Sequence, residues 1–114
     1  MLHKSKDEAV IHRNSQSCEV KEFGSITSID GADIVINGRY PDTGYSLNEA
    51  SNFVIRMLSG SGIIATRDGN AELKKGDVVF IEKGEAYYFE GQNLTLFMAS
   101  SPAWTPGQYS NIDR

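Results

Sequence analysis

The chain is poor in the residues that build most metal and redox sites: one cysteine, two histidines and three prolines among 114 residues. With Cys18 alone, neither an intrachain disulfide nor a multi-cysteine metal cluster can form, which suits a reducing compartment. Basic excess is missing too. Eleven Lys and Arg against fifteen Asp and Glu give a net charge of -4, which argues against a phosphate-tracking surface and so against a nucleic-acid partner. No apolar run reaches membrane-spanning length, and the opening MLHKSKDEAV lacks the apolar centre of a signal peptide. The expectation is a soluble, unexported, cytoplasmic protein with no membrane partner. The sequon at Asn93, Leu94 and Thr95 carries no meaning without secretion.

A helical period sustained over three turns is also lacking, and short strand-turn-strand patterns take its place. Asp30-Gly31 stands between SITSI and ADIVI, and Asp68-Gly69 between GIIATR and NAELKKGDVVFI, with Asn37-Gly38 as a third turn candidate. Pro41 to Gly44 reads as a proline-led turn, and Ser59 to Gly62 as a bend or bulge between FVIRML and IIAT. Val78 to Ile81 is apolar on both faces, which predicts a strand covered on both sides. Many short strands in one small domain predict a sandwich or barrel. Residues 1–16 read as a mobile N-terminal tail, 17–101 as the barrel, and 102–114 as a segment packed on the barrel or a dimer partner, since Pro102 and Pro106 exclude a central strand there. His3 and His12 fall in the tail, which leaves no histidine for the barrel interior.

The stretch GDVVFIEKGEAYYFEG, Gly76 to Gly91, resembles the second motif of the cupins: glycine, five residues, proline, any residue, glycine, two residues, histidine. Gly76 and Gly84 keep the spacing, while Glu82 stands at the proline position and Tyr87 at the metal-ligand histidine. Anchoring the first motif on Gly60 puts Phe53 at its glutamate. Its histidine pair falls on Ser46 and Asn48, or on Leu47 and Glu49 in the shorter register. The resemblance runs from Ser25 to Ser101. The residues GRYP at 38–41 and PAW at 102–104 also look like a subgroup of small cupins. The resemblance implies an all-β fold, a small antiparallel β-barrel of double-stranded β-helix or jelly-roll type, commonly dimeric.

With phenylalanine, tyrosine and an amide at the ligand positions, no metal and no other cofactor are expected, because a buried dication beside Phe53 keeps its charge uncompensated. Strand alternation turns Tyr87 and Phe89, Phe53, Ile55 and Met57, and Leu94, Leu96 and Met98 inward. Such a set is either the packed core of a small barrel or the wall of an apolar pocket, and the sequence leaves both open. The candidate ligand-binding residues are Arg39, Tyr45, Asn48, Glu49, Phe53, Tyr87, Phe89, Met98 and Trp104; no catalytic residue is assigned. Arg39 is either an anion clamp at the rim or the partner of Asp42 or Glu49. Arg56 faces opposite to Ile55 and Met57, on an outer sheet or dimer seam. Trp104 anchors the C-terminal segment, as a barrel plug or a lid over a ligand. The reading is a metal-free barrel that binds a small molecule. Its alternatives are a metal-independent isomerase or epimerase on a carbohydrate-like substrate, with Tyr87 and Glu49 or Glu82 carrying protons, or a structural or regulatory homodimer.

Overall fold

The computed structural model describes residues 1–114. Nine strands carry the fold: β1 (Val10–Ser15), β2 (Cys18–Ser25), β3 (Asp30–Tyr40), β4 (Tyr45–Asn48), β5 (Asn52–Thr66), β6 (Gly69–Leu73), β7 (Val78–Ile81), β8 (Tyr87–Ser101) and β9 (Tyr109–Ile112). The only helical pieces are single 3-10 turns at Lys6–Glu8 and Pro106–Gln108, and no helix is long and apolar enough to cross a membrane. All pairings are antiparallel, in the order β1-β2-β3-β8-β4-β9, with β5 joining β8 to β6 and β7. The sheet curls into the antiparallel barrel that the sequence predicts.

Alternation decides which side chains fill it. In β5, Phe53, Ile55 and Met57 are buried while Val54, Arg56 and Leu58 turn outward; in β8, Tyr87, Phe89, Leu94 and Leu96 are buried. Ile36, Ile55, Leu94 and Leu96 are almost wholly removed from water, each contributing about 1.5–3 kcal/mol of hydrophobic burial. β5 and β8 pair from Asn52 opposite Ser101 to Thr66 opposite Tyr87, and two fifteen-residue strands can follow a barrel wall that far only by bending. The bend is the bulge expected at Ser59 to Gly62. Gly60 sits there at φ +85, and a Cβ on it would run into the Asn93 carbonyl.

Four expectations are corrected. The N-terminal segment does not stay outside the sheet as far as residue 16, because Val10–Ser15 pairs along β2, with His12 opposite Val20. The strand escapes apolar patterning because one face meets solvent and the other an open cavity, so neither demands hydrophobes. Asp30 and Gly31 lie inside β3, and the turn falls at Ile26 to Ile29, where the Ile26 N–H donates to the Ile29 carbonyl at 3.0 Å. Asn37-Gly38 is a register shift within β3 and not a turn. β7 is covered on one side only: Ile81 is buried, but Phe80 is 74% exposed on the outer face. The C-terminal segment does leave the barrel core at Pro102, yet it returns after Pro106 as β9, paired with β4.

Candidate functional site

Ladder register builds one concave wall. His12 stands opposite Val20, Val20 opposite Ile34, and Ile34 opposite Leu96; two residues along, Glu22 stands opposite Ala32 and Ala32 opposite Met98. Directly opposed residues share a face of the sheet, so β1 and β2 extend the inward surface that β3 and β8 begin. This wall encloses a cavity of about 630 Å³. Phe53, Tyr87, Phe89 and Met98 line it from β5 and β8, Trp104 and Pro106 from the C-terminal segment, and Tyr40 and Tyr109 from the ends of β3 and β9. The inward set therefore divides: Ile55, Met57, Leu94 and Leu96 are packed core, while Phe53, Tyr87, Phe89 and Met98 face space.

The aromatic part of the wall is a contiguous edge-to-face cluster. Tyr87 meets Phe89 edge-on with ring centroids 5.4 Å apart, and Phe53 at 6.2 Å, both arrangements that aromatic rings prefer. Its polar groups are neutral. Burial pushes the Cys18 thiol up to about 12, so it stays protonated and is a poor nucleophile. Burial, then the neighbouring Tyr109 phenol and the Cys18 thiol, hold the Tyr87 phenol far above its ordinary range. Tyr40 is raised likewise, first by burial and then by the adjoining Tyr109. Tyr109 in turn shares a hydrogen bond of 3.0 Å with the Ser46 hydroxyl. Both raised phenols thus present O–H donors at any physiological pH.

Two carboxylates, Glu22 and Asp30, and the His12 imidazole belong to the polar lining. His12 Nε2 lies 3.4 Å from Glu22 Oε2, with both side chains about half exposed. Asp30 accepts the Ser100 N–H at 3.1 Å and the Trp104 N–H at 2.8 Å, which ties the segment carrying the indole to the start of β3. Trp104 is half-buried against the core.

Of the nine candidate binding residues, Phe53, Tyr87, Phe89, Met98 and Trp104 line the cavity, and Arg39, Tyr45, Asn48 and Glu49 do not. Arg39 donates to the Pro41 and Gly44 carbonyls at 2.7 and 2.8 Å and stacks on Tyr88 at 3.9 Å, so it staples the turn after β3 and pairs with neither Asp42 nor Glu49. Tyr45 packs edge-on against the same Tyr88, at 5.7 Å, and carries the Arg67 guanidinium on its ring. Asn48 is buried, its Oδ1 accepting from the Ala50 and Ser51 N–H groups and from Gln108 Nε2, while its Nδ2 has no partner. Glu49 is exposed, and Glu82 belongs to a separate polar hollow with Lys83 and Glu85. Sequence reading missed His12, Cys18, Glu22, Tyr40 and Tyr109. The two-residue spacing of His12 with Asn14, and of Cys18 with Val20 and Glu22, is the signal that would have found three of them.

A metal centre of the cupin kind needs three or four converging donors. No group of three or more His, Cys, Asp and Glu side chains is placed to hold an ion. The donor types in the cavity are His12 and Glu22, which face each other, the protonated Cys18, and Asp30, whose oxygens accept backbone N–H groups. That set does not fit a metal.

No protein-family model matches the sequence, and no curated protein matches it. Solved structures do share its shape. The Streptomyces protein Pac13, described as a nucleoside dehydratase, superposes with a TM-score of 0.84 at 12% identity over 98% of this chain and 91% of its own; a Pac13 variant with uridine gives the same values. An RmlC-like cupin from Shewanella frigidimarina reaches 0.75 at 16% identity, covering 90% of this chain and 93% of its own. The polyketide cyclase RemF from Streptomyces resistomycificus reaches 0.76 at 16%, covering 100% and 87%. The fold is that of the cupins.

Proposed function

We propose that this cupin barrel binds a small organic molecule in its interior without a resident metal. One observation carries the reading: a cavity of about 630 Å³, within the ordinary range for small-molecule sites, is walled by a contiguous aromatic cluster and floored by phenols that stay protonated. A filled core would leave no such space, and the Tyr40 and Tyr87 phenols face it as protonated groups, Tyr40 hydrogen-bonded to Tyr109. Support also comes from the likeness in fold to proteins that act on small organic molecules, one of them solved with uridine. The protein works, on this reading, in a reducing cytoplasm as a homodimer.

A second reading is a metal-independent acid–base enzyme. The juxtaposition of His12 and Glu22 favours it, because an imidazole beside a carboxylate is a common proton carrier. In that case His12, with Tyr87 as hydrogen-bond donor, takes the part that sequence reading gave to Glu49 or Glu82.

Native mass spectrometry for co-purified ligand, followed by a thermal-shift screen, tests the binding reading. The expected result is a ligand that shifts Trp104 emission and loses its effect in Tyr87→Phe. Failure of every compound to bind, with no co-purified mass, sinks it.

A further inference from the structure

The distribution of charge around the cavity is lopsided. The chain has eleven Lys and Arg residues, and none of them lines the cavity. The basic side chains that could have done so are committed elsewhere. Arg39 is held by backbone carbonyls on the outer side of the β3–β4 turn, Arg13 pairs with Glu19 at 3.2 Å, and Arg67 pairs with Asp113. Arg56 points away from Ile55 and Met57, opposite Phe97 and Val78 on the outer face. Lys4 approaches the rim at Gly24, but it is exposed to solvent and outside the lining.

Two carboxylates, in contrast, belong to the lining: Glu22 at the rim and Asp30 beneath Trp104. Six aromatic rings accompany them, those of Tyr40, Phe53, Tyr87, Phe89, Trp104 and Tyr109. An anionic group entering this space would meet no lysine or arginine, only the His12 imidazole that already faces Glu22 at 3.4 Å, and would approach Glu22 and Asp30 against their charge. A protonated amine would meet the reverse: Glu22, for which it competes with His12, the remaining lone pairs of Asp30 beside its two backbone N–H partners, and ring faces to lie over. The raised phenols add hydrogen-bond donors without adding charge.

We infer that the cavity selects ring compounds bearing an amine, accepts uncharged ones, and refuses phosphorylated or carboxylated ones, with Glu22 setting this order. The inference rests on the binding reading above and names the class of ligand for the same space. It distinguishes a nucleoside or amino sugar from its phosphate ester, and an aromatic amine from the matching acid.

The test is a set of matched compounds titrated by ligand-observed NMR: one ring carrying aminomethyl, hydroxymethyl or carboxylate, and nucleosides beside their 5′-monophosphates. In the wild-type protein the amines should bind best and the alcohols and nucleosides next, with acids and monophosphates weaker by about tenfold or more. Glu22→Gln should flatten this order and Glu22→Lys should invert it, while Lys4→Gln should leave it as in the wild type. Unchanged circular dichroism and melting temperature establish that each variant is folded. Acids or monophosphates that bind as well as the amines, or an order that survives Glu22→Lys, would overturn the inference while leaving the binding reading intact. If no compound in the set binds, and the screen for co-purified ligand is also negative, both fall together.

Discussion

His12 on β1 and Glu22 on β2 meet at 3.4 Å across the rim of the cavity, the one imidazole–carboxylate pair that borders it. Both side chains are about half exposed, so their attraction is screened and adds little to folding. His12→Gln is therefore expected to change unfolding free energy by less than about 1 kcal/mol in urea titrations, while abolishing turnover on the acid–base reading. A loss of several kcal/mol would show the pair to be structural.

Tyr87 allows a sharper separation of stability from binding. Its ring packs edge-on between Phe53 and Phe89, and Tyr87→Phe keeps that packing. The expected cost is about 1 kcal/mol or less, with ligand binding lost. Equal binding by Tyr87→Phe and wild type would remove the phenol from the site.

Metal content is the third prediction. Untagged protein should carry well under one equivalent of iron, manganese, nickel or zinc by elemental analysis, because His12, Glu22, Cys18 and Asp30 do not assemble a ligand set. Near-stoichiometric metal that disappears in His12→Gln would contradict it.

Alkaline pH should expose the buried thiol. Cys18 titrates near 9.0 when free and near 12 in the fold, so between those values the unfolded chain gives up a proton that the folded chain keeps. Its contribution to stability is complete below pH 9 and is lost as pH rises, by about 1.4 kcal/mol per unit. Tyr40 and Tyr87 add losses of the same sign at higher pH, so Cys18→Ala should flatten the earliest part of the decline. Thiol reagents at pH 8 should label the folded protein slowly. Rapid labelling without unfolding would show the thiol to be accessible.

The outer face should be an interface. Phe80 stands opposite Val54 and Val54 opposite Ala99, while Phe97 lies beside them, opposite Arg56; Val54, Phe80 and Phe97 are all exposed. A symmetric homodimer burying this strip is expected by light scattering, with Phe80→Glu dissociating it. A monomeric wild type at about tens of micromolar would refute the assembly.

The inward aromatic and aliphatic set was legible in the sequence because β5 alternates before its bulge, as with Phe53, Ile55 and Met57 against Val54, Arg56 and Leu58, and β8 alternates in two runs, Tyr87 with Phe89 and Leu94 with Leu96. The anchoring of the Trp104 segment was legible from its prolines and its lone indole. β1 was not, since VIHRNS faces solvent on one side and an open cavity on the other and so carries no hydrophobic period. Asn48 and Glu49 entered the candidate site on motif spacing alone. In the fold, Asn48 secures the Ala50 and Ser51 amides and the Gln108 side chain, a structural duty that spacing cannot reveal.

Three of the cavity-facing residues on β1 and β2, His12, Asn14 and Glu22, stand at positions that the packed core does not use, whereas Cys18 serves both. His12, Asn14 and Glu22 can be exchanged for other polar side chains without disturbing Ile55, Met57, Leu94 or Leu96. Rim positions can therefore vary one at a time while the residues that fill the barrel stay as they are.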